Sequence, residues 1–307
     1  MAGGSRRAIL AALGANLGVA TVKFVAFAYT GAASMLAEGI HSVADTGNQL
    51  LLLLGYSRAN RPPTADHPFG YGRERYFWSF VVAVVLFTLG SLFALNEGWD
   101  KLRHPHELRS AEWAIGVLLA AMLLEGFALR TAVREAETLR GDRSWWQFVR
   151  RAKSPELPVI LLEDSGALLG LTIALIGVGL ALLTGDSRWD AAGTIGIGLL
   201  LGVIAVVLAV EMQSLLIGES AAPRHERAIE AALESHPNVR RLRHLRTQHL
   251  GPDELLVGAK IECDPGLTLE EIDALIADAE ARVRIEVPAA RVIYLEPCIA
   301  DTAPETI

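Results

Sequence analysis

Long apolar runs dominate the first two thirds of the chain. Six of them reach about 20 residues, the length that a helix needs to cross a bilayer, and they lie at about 8–29, 32–56, 77–97, 113–133, 157–183 and 190–211. The pattern predicts an all-α membrane domain over residues 1–212 with six transmembrane helices. Because the first run begins close to Met1 and lacks an A-x-A-like cleavage site, we expect a retained helix and not a signal peptide.

The pattern changes after residue 212. RHERAIEAALESHPN predicts an amphipathic helix, and VRRLRHLRTQHLG followed by PDELLVGAKIEC predicts a hairpin that turns near Gly251. A second helix is expected after Thr268, because Glu271 three residues later completes a capping box. ARVIYLEPC then supplies a third strand. The order predicts a small ferredoxin-like α+β (αββαβ) domain over residues 213–307.

Composition and charge agree with this division. Of the 307 residues, 51% are apolar and 21% are charged, whereas average soluble domains carry roughly 25% charged residues. Residues 1–212 hold 18 Lys and Arg against 18 Asp and Glu, and residues 213–307 hold 10 against 17, so the net charge of −7 belongs to the C-terminal part. Two cysteines cannot form a disulfide framework. An acidic chain without a basic patch is not expected to bind nucleic acid.

The basic residues of the loops predict how the helices are oriented. The N-terminal segment, the second-to-third connection and the fourth-to-fifth connection are rich in basic residues. These residues are Arg6, Arg7, Arg58, Arg61, Arg73, Arg75, Arg134, Arg140, Arg143, Arg150, Arg151 and Lys153. The opposite set holds far fewer. Both termini and the C-terminal domain are therefore expected to be cytoplasmic, in a multi-pass protein of a bacterial inner membrane or an organelle membrane.

The second predicted span carries a polar stripe. At 100° per residue its members share one side of the helix, with Asn48 at the edge, and they are Glu38, His41, Ser42, Asp45, Asn48 and Gln49. Such a stripe must face protein or water, because lipid cannot satisfy its polar groups. His41 and Asp45 lie one turn apart, and an imidazole and a carboxylate at that spacing can hold one divalent ion. The alternative is a hydrogen-bonded pair that packs two helices.

The fifth predicted span contains two adjacent acids in apolar surroundings, Glu163 and Asp164. Relative to Ile160 they lie at about −60° and +40° around the helix, so both can flank one seam. Two carboxylates held close cannot both ionise cheaply unless a cation lies between them, which is a physical basis for exchanging a metal ion against protons. The alternative is one ion pair of Asp164 with Lys23 or Arg130.

Glu125 and Lys23 are further charged residues inside predicted spans. Such residues cost roughly 2.5–3.5 kcal/mol on insertion scales, which makes each a candidate functional residue. Glu125 could act as a proton relay, as a partner of Arg130 or as a helix-packing acid. Lys23 could snorkel to the interface or pair with an acid.

The chain resembles the cation diffusion facilitator family in three motifs, AEGIHSVADTGNQ, HPFGYGRER and LLEDSGALLG, and in a terminal domain that ends in LEPC. The resemblance covers nearly the whole chain, and the third motif is most similar to the divergent branch that contains a mitochondrial zinc transporter. It implies a homodimeric proton antiporter, not an enzyme, that exports Zn²⁺ by alternating access. Fe²⁺, Mn²⁺, Co²⁺ or Cd²⁺ are alternative substrates, and no prosthetic cofactor is implied.

The resemblance also implies a transport site with two ligands on each of two helices. His41 and Asp45 match the pair on the second span, and Asp164 matches the last ligand on the fifth. Ile160 occupies the position of the fourth ligand, and we expect Glu163 to replace it. The other auxiliary or proton-relay candidates are Glu38, Asn48 and Glu125.

Three further family features are weak in this chain. A second metal site, in the loop between the second and third spans, retains only Asp66 and His67, so we expect it to be weak or absent. An interlock between a basic residue before the third span and an acid after the sixth would use Arg73 and Glu219. In the C-terminal domain we expect packing and not metal binding at His244, His249, Cys263, Glu296 and Cys298.

Two other functions stay open. The unusual Ile160 is compatible with a non-transporting partner or metal-sensing subunit of a related transporter. A membrane metalloenzyme with Glu163 as general base is disfavoured, since the sequence lacks H-E-x-x-H or a comparable hydrolase motif.

Overall fold

The computed structural model describes residues 10, 13–14, 16–25, 28, 33–104 and 111–299, with side chains from residue 42 in the second helix and from residue 115 in the fourth. The chain divides into two compact units. One comprises residues 1–58 and 74–213, and the other comprises residues 59–73 and 214–307.

The N-terminal part is helical. Its helices are α1 (Asn16–Val25), α2 (Ala33–Ala59), α3 (Glu74–Arg103), α4 (Ala111–Arg140), α5 (Trp145–Arg151), α6 (Glu156–Thr184) and α7 (Arg188–Ile217). Four stretches of described helix are long and apolar enough to cross a membrane, namely Glu74–Arg103, Ile115–Arg140, Glu156–Thr184 and Arg188–Ile217. This confirms the third to sixth predicted spans as apolar helices. The first, 8–29, lies partly outside the described residues.

The helices extend beyond the predicted apolar runs. α4 continues to Arg140 although the run was expected to end near residue 133, and α7 continues to Ile217 although the run ends near residue 211. Hydropathy detects only the part of a helix that suits hydrocarbon, whereas backbone hydrogen bonding continues through polar turns. The helices are therefore longer than the predicted spans, whose bounds stay predictions.

α3 contains a π-helical segment, Leu86–Leu92, which the sequence did not predict. Here α3 approaches α7 closely: the Ser91 hydroxyl donates to the carbonyl of Gly198 over 2.8 Å. A Cβ at Gly198 would come within 2.8 Å of the Leu95 side chain. Small residues are typical of such close helix packing in membrane proteins.

The apolar core of the helical unit surrounds α6. Leu157, Ile160 and Leu161 pack there together with Leu201 of α7. At Gly166 the two helices come so close that an added Cβ would lie 2.5 Å from the Ile204 side chain. One side of α6 is therefore fixed against α7.

The C-terminal part contains α8 (Pro223–Glu234), β1 (Val239–Gly251), β2 (Glu254–Cys263), α9 (Leu269–Glu286) and β3 (Ala290–Cys298). The strands form one sheet in the order β1-β2-β3, with β1 antiparallel and β3 parallel to β2. This confirms the predicted three-stranded domain. The predicted capping box is present at Thr268 and Glu271. Alternate residues of β2, among them Leu255 and Val257, pack against both helices.

The loop between α2 and α3, residues 59–73, belongs to the same unit as this sheet. Its residue Gly72 lies against the β1–β2 hairpin turn. A Cβ at Gly72 would lie 2.8 Å from the carbonyl oxygen of Leu250, and one at Gly251 would lie 2.8 Å from the Cα of Gly72. Backbone contact of this kind requires glycine on both sides.

Candidate metal centre

Polar residues of α2 and α6 meet inside the helical unit. Asp45, Asn48 and Gln49 on α2 and Glu163 and Asp164 on α6 are each less than a tenth exposed. For the members whose side chains are described, the predicted polar stripe of α2 thus faces protein. Buried polar groups at this density need partners, and those partners define what the centre can bind.

Glu163 is held by two amides of α2. The Asn48 Nδ2 donates to its Oε1 over 2.8 Å, and the Gln49 Nε2 donates to its Oε2 over 3.3 Å. Each carboxylate oxygen therefore has one neutral donor, which orients the group without adding a positive charge. Asn48 and Gln49 are consecutive on α2, and both reach the same carboxylate on α6.

Asp164 lies beside two other acids. Asp45 on α2 and Glu125 on α4 act on it electrostatically, and Asp45 also acts on Glu163. The Oδ2 of Asp164 is buried and has no hydrogen-bond donor among the described residues. A buried carboxylate oxygen is costly unless a donor or a cation meets it. A proton or a cation at this oxygen would remove that cost.

The remaining predicted ligands are placed as follows. α2 includes Glu38 and His41, but their side chains lie outside the described part of the chain. Ile160, at the position expected for a fourth ligand, is 2% exposed and packs in the apolar core. Among the side chains that are described, no group of three or more His, Cys, Asp and Glu has the arrangement of a metal site. The predicted set includes His41, whose side chain is outside the described part.

Glu125 and Lys23 both point inward. Glu125 is buried on α4, and its charge acts on Asp164. Arg130, which was considered as its partner, is exposed. Lys23 is 3% exposed, and its Nζ donates to the Ser42 hydroxyl over 2.9 Å. The expectation that Lys23 could snorkel is wrong, because its position on α1 directs it towards α2.

A buried ion pair joins the beginnings of α3 and α6. The Arg75 guanidinium donates to both carboxylate oxygens of Glu156, with 2.9 Å between Nη2 and Oε2. The same guanidinium lies 5.4 Å from the centroid of the Tyr56 ring. Sequence reasoning treated Arg75 only as a loop charge and missed Glu156, and a charged residue at the edge of an apolar run was the only available signal.

The weaker predicted sites lie in the second unit. Asp66 and His67 are exposed, and the His67 ring packs on Tyr71 with 4.6 Å between centroids. The predicted interlock pair, Arg73 and Glu219, belongs to this unit as well, and the pairing stays a prediction.

The C-terminal residues considered for metal binding lie on the three strands, where Cys298 of β3 acts on the Cys263 thiol of β2 and Lys260 lies between His244 and Glu296. Cys263 is part of the apolar core. Glu296 pairs with Lys260 over 3.3 Å. His249 lies 3.2 Å from the carbonyl oxygen of Gly251 through its Nδ1. Burial raises the pKa of the Cys263 thiol.

Arginines of β1 neutralise an acid of β2. Arg241 and Arg243 contact the Oε2 of Glu262 over 2.9 and 2.7 Å. The hydrogen bond from Arg241, together with the charges of both guanidinium groups, holds the pKa of Glu262 below its usual value.

Comparisons with known proteins cover both parts of the chain. The cation efflux transmembrane domain family matches residues 9–217, and the family of cytoplasmic domains of cation efflux proteins matches residues 222–298.

Three relatives show how far the similarity extends. The mitochondrial proton-coupled zinc antiporter SLC30A9 of Mus musculus is 35% identical over 79% of this chain and 43% of its own length. Metal tolerance protein C4 of Arabidopsis thaliana is 31% identical over 84% of this chain and 57% of its own length. The cation-efflux pump FieF of Pectobacterium atrosepticum is 26% identical over 94% of this chain and 92% of its own length. The chain thus matches less than half the length of the first relative.

Proposed function

The chain belongs to the cation efflux family, whose members are transporters and not enzymes, and on this premise we propose that it exports divalent metal cations across a membrane. The proposed substrate is Zn²⁺, with Fe²⁺ and Mn²⁺ as alternatives, and the proposed counter-ion is the proton. The similarity to a zinc antiporter supports both choices.

The burial of acids between α2, α4 and α6 is the observation that carries the proposal. Asp45, Glu125, Glu163 and Asp164 are all nearly inaccessible to solvent. Burying several carboxylates together is very unfavourable unless cations or protons neutralise them. A carrier that binds a divalent ion in one state and protons in another would supply this neutralisation in turn.

In the proposed cycle, metal enters between α2 and α6 and binds His41, Asp45 and Asp164, with Glu163 as the fourth ligand. The site then faces the other side of the membrane, where protons displace the ion. Imidazole and carboxylate ligands bind metal only when deprotonated, so proton concentration drives release. Imidazole ordinarily titrates near pH 6.5, which suits His41 to this exchange.

The proposed assembly is a homodimer in a lipid bilayer. It would have six spans, both termini in the cytoplasm and a ferredoxin-like C-terminal domain, and it would lie in a bacterial inner membrane or an organelle membrane. The basic residues of the N-terminal segment and of two connections support the orientation. The match of residues 222–298 to a cytoplasmic domain family supports the location of the C-terminal part.

Transport in proteoliposomes tests the function. We expect Zn²⁺ uptake driven by an imposed pH gradient, and a panel with Fe²⁺, Mn²⁺, Co²⁺ and Cd²⁺ would rank the substrates. Asp45→Ala should abolish the metal-driven proton flux. Asp100→Ala is the matched control, because this acid is exposed at the end of α3 and contacts only His104 in the described structure. Undiminished flux in Asp45→Ala would refute the site.

A second candidate function is a non-transporting partner or metal-sensing subunit. Two observations favour it: Ile160 lies in the apolar core, and Glu163 is already held by two amides. Under this alternative the purified protein alone would show no flux, and transport would appear only when a related transporter is reconstituted with it.

A further inference from the structure

We propose that Lys23 is a built-in cation beside Asp45 of the transport site, which repels the metal and lowers the affinity for the cargo. This inference rests on the proposed function. It adds a residue of α1 to a site otherwise formed by α2 and α6, and it makes Lys23 a determinant of affinity that is not itself a ligand.

The placement of Lys23 follows from the two faces of α1. Asn16, Val19, Ala20 and Lys23 are all buried, and their spacing of three, four and seven residues puts them on one side of the helix. Leu17, Val22 and Val25, on the other sides, are about half exposed. Asn16 and Lys23 are the polar residues at the two ends of this buried stripe. Because Lys23 is on the same side of α1 as Val19 and Ala20, its side chain points inward.

The contact with Ser42 brings the ammonium group towards Asp45. Lys23 donates to the Ser42 hydroxyl over 2.9 Å, and both side chains are buried. Ser42 precedes Asp45 by three residues on α2, and residues at this spacing are neighbours on a helix surface, with about 5–6 Å between Cβ atoms. The ammonium therefore lies about one helical turn from a proposed metal ligand.

A fixed charge at this distance acts in opposite ways on the two states of the site. When the site holds no metal, the ammonium compensates part of the negative charge of Asp45, the acid one turn from Ser42 on α2. When a divalent cation is bound, the same ammonium repels it, and burial makes this repulsion stronger than it would be in water. Both effects weaken metal binding, which favours release from a carrier.

Metal affinity of charge variants tests the inference. Lys23→Met should bind Zn²⁺ at least about tenfold more tightly than the wild type, measured by calorimetric titration of the full-length protein in detergent. Lys23→Arg, which keeps the charge, should stay close to the wild type. Lys101→Met is the matched control, since this lysine pairs with Asp190 of α7 and not with the site, and its affinity should not change.

The outcomes separate this inference from the proposed function. If the wild type binds no Zn²⁺, the proposed function fails. If the wild type binds and Lys23→Met has the same or weaker affinity, only the role of Lys23 is overturned. Should Lys23→Met not be recovered as folded protein, Lys23→Gln decides the question, because it removes the charge and keeps a hydrogen-bond donor for Ser42.

Discussion

Glu156 and Glu163 lie on one face of α6, seven residues and about two turns apart, and they are 1% and 6% exposed. Their partners differ. Glu156 accepts hydrogen bonds from the Arg75 guanidinium, whereas Glu163 accepts them from the neutral amides of Asn48 and Gln49. The first acid is neutralised permanently and joins two helices. The second is oriented while its charge stays available to a mobile cation or proton.

The difference shows that burial of an acid in a membrane helix does not by itself identify a transport site. What distinguishes the two positions is whether the chain supplies a full opposite charge. A guanidinium at Glu156 matches the carboxylate with two parallel hydrogen bonds. At Glu163 the donors are uncharged, and the neighbouring charged groups are the acids Asp45 and Asp164.

Breaking the fixed pair should give the largest loss of stability. Glu156→Gln leaves the buried Arg75 without its counter-ion, and we expect a loss of about 3–5 kcal/mol, seen as a lower Tm of the purified protein. Glu211→Gln is the matched control, because its partner Arg150 is half exposed and such pairs contribute about 0–1 kcal/mol.

A double substitution sharpens this test. Replacing both Arg75 and Glu156 by Met removes the two charges together, and well-packed apolar replacements of buried ion pairs are often neutral. The double variant should therefore regain much of the lost Tm. Equal Tm values for Glu156→Gln and Glu211→Gln would mean that the buried pair has no special structural role.

Removing an amide donor from Glu163 should have a smaller effect. Asn48→Ala leaves a buried carboxylate oxygen without its 2.8 Å donor, and we expect a loss of about 1–3 kcal/mol. Asn96→Ala, at an exposed position of α3, should leave the Tm unchanged. The two variants are compared by thermal unfolding in the same detergent, and a neutral Asn48→Ala would show that the amide does not hold Glu163.

Neutralising Glu163 itself should separate binding from stability. Among the described residues, Glu163 accepts hydrogen bonds from neutral amides and from no cationic side chain. Glu163→Gln should therefore keep a free energy of unfolding within about 1 kcal/mol of the wild type, seen as a similar Tm. Its affinity for Zn²⁺ should fall at least about tenfold, by calorimetric titration. Glu97→Gln on α3 is the control. If Zn²⁺ affinity were retained and the Tm fell as far as in Glu156→Gln, the two acids would have the same structural role.

Sequence patterns predicted the parts of this architecture that depend on local periodicity. The apolar runs gave the helices α3, α4, α6 and α7, and the capping box at Thr268 and Glu271 marked the start of α9. The polar stripe of α2 and the paired acids of α6 were also visible, because helical geometry alone places them.

The partners of the buried charges could not be predicted in this way. Arg75 and Glu156 are 81 residues apart in sequence, and nothing in their local patterns indicates that they meet. The hydrogen bond between Lys23 and Ser42 also depends on tertiary packing. The same is true of the π-helical segment at Leu86–Leu92. Such contacts are set by the way helices pack and not by the composition of one helix.

The smallest expected effect concerns the C-terminal sheet. Because Arg241 and Arg243 lower the pKa of Glu262, the ionised acid stabilises the folded state above the ordinary glutamate pKa of about 4.3. This contribution should be lost as the pH falls through the lowered pKa of the folded state. The Tm difference between wild type and Glu262→Gln should therefore be constant near neutral pH and shrink in acid. A difference that does not vary with pH would exclude this linkage.

The central claim is that the acids of α2 and α6 hold the cargo. Diffraction from crystals grown with Zn²⁺, measured on both sides of the zinc absorption edge, tests it directly. The predicted result is an anomalous peak that touches His41, Asp45 and Asp164 at about 2.0–2.2 Å, the distances usual for zinc bound by nitrogen and oxygen. A peak found only elsewhere, with these three side chains in contact with no metal, would contradict the account.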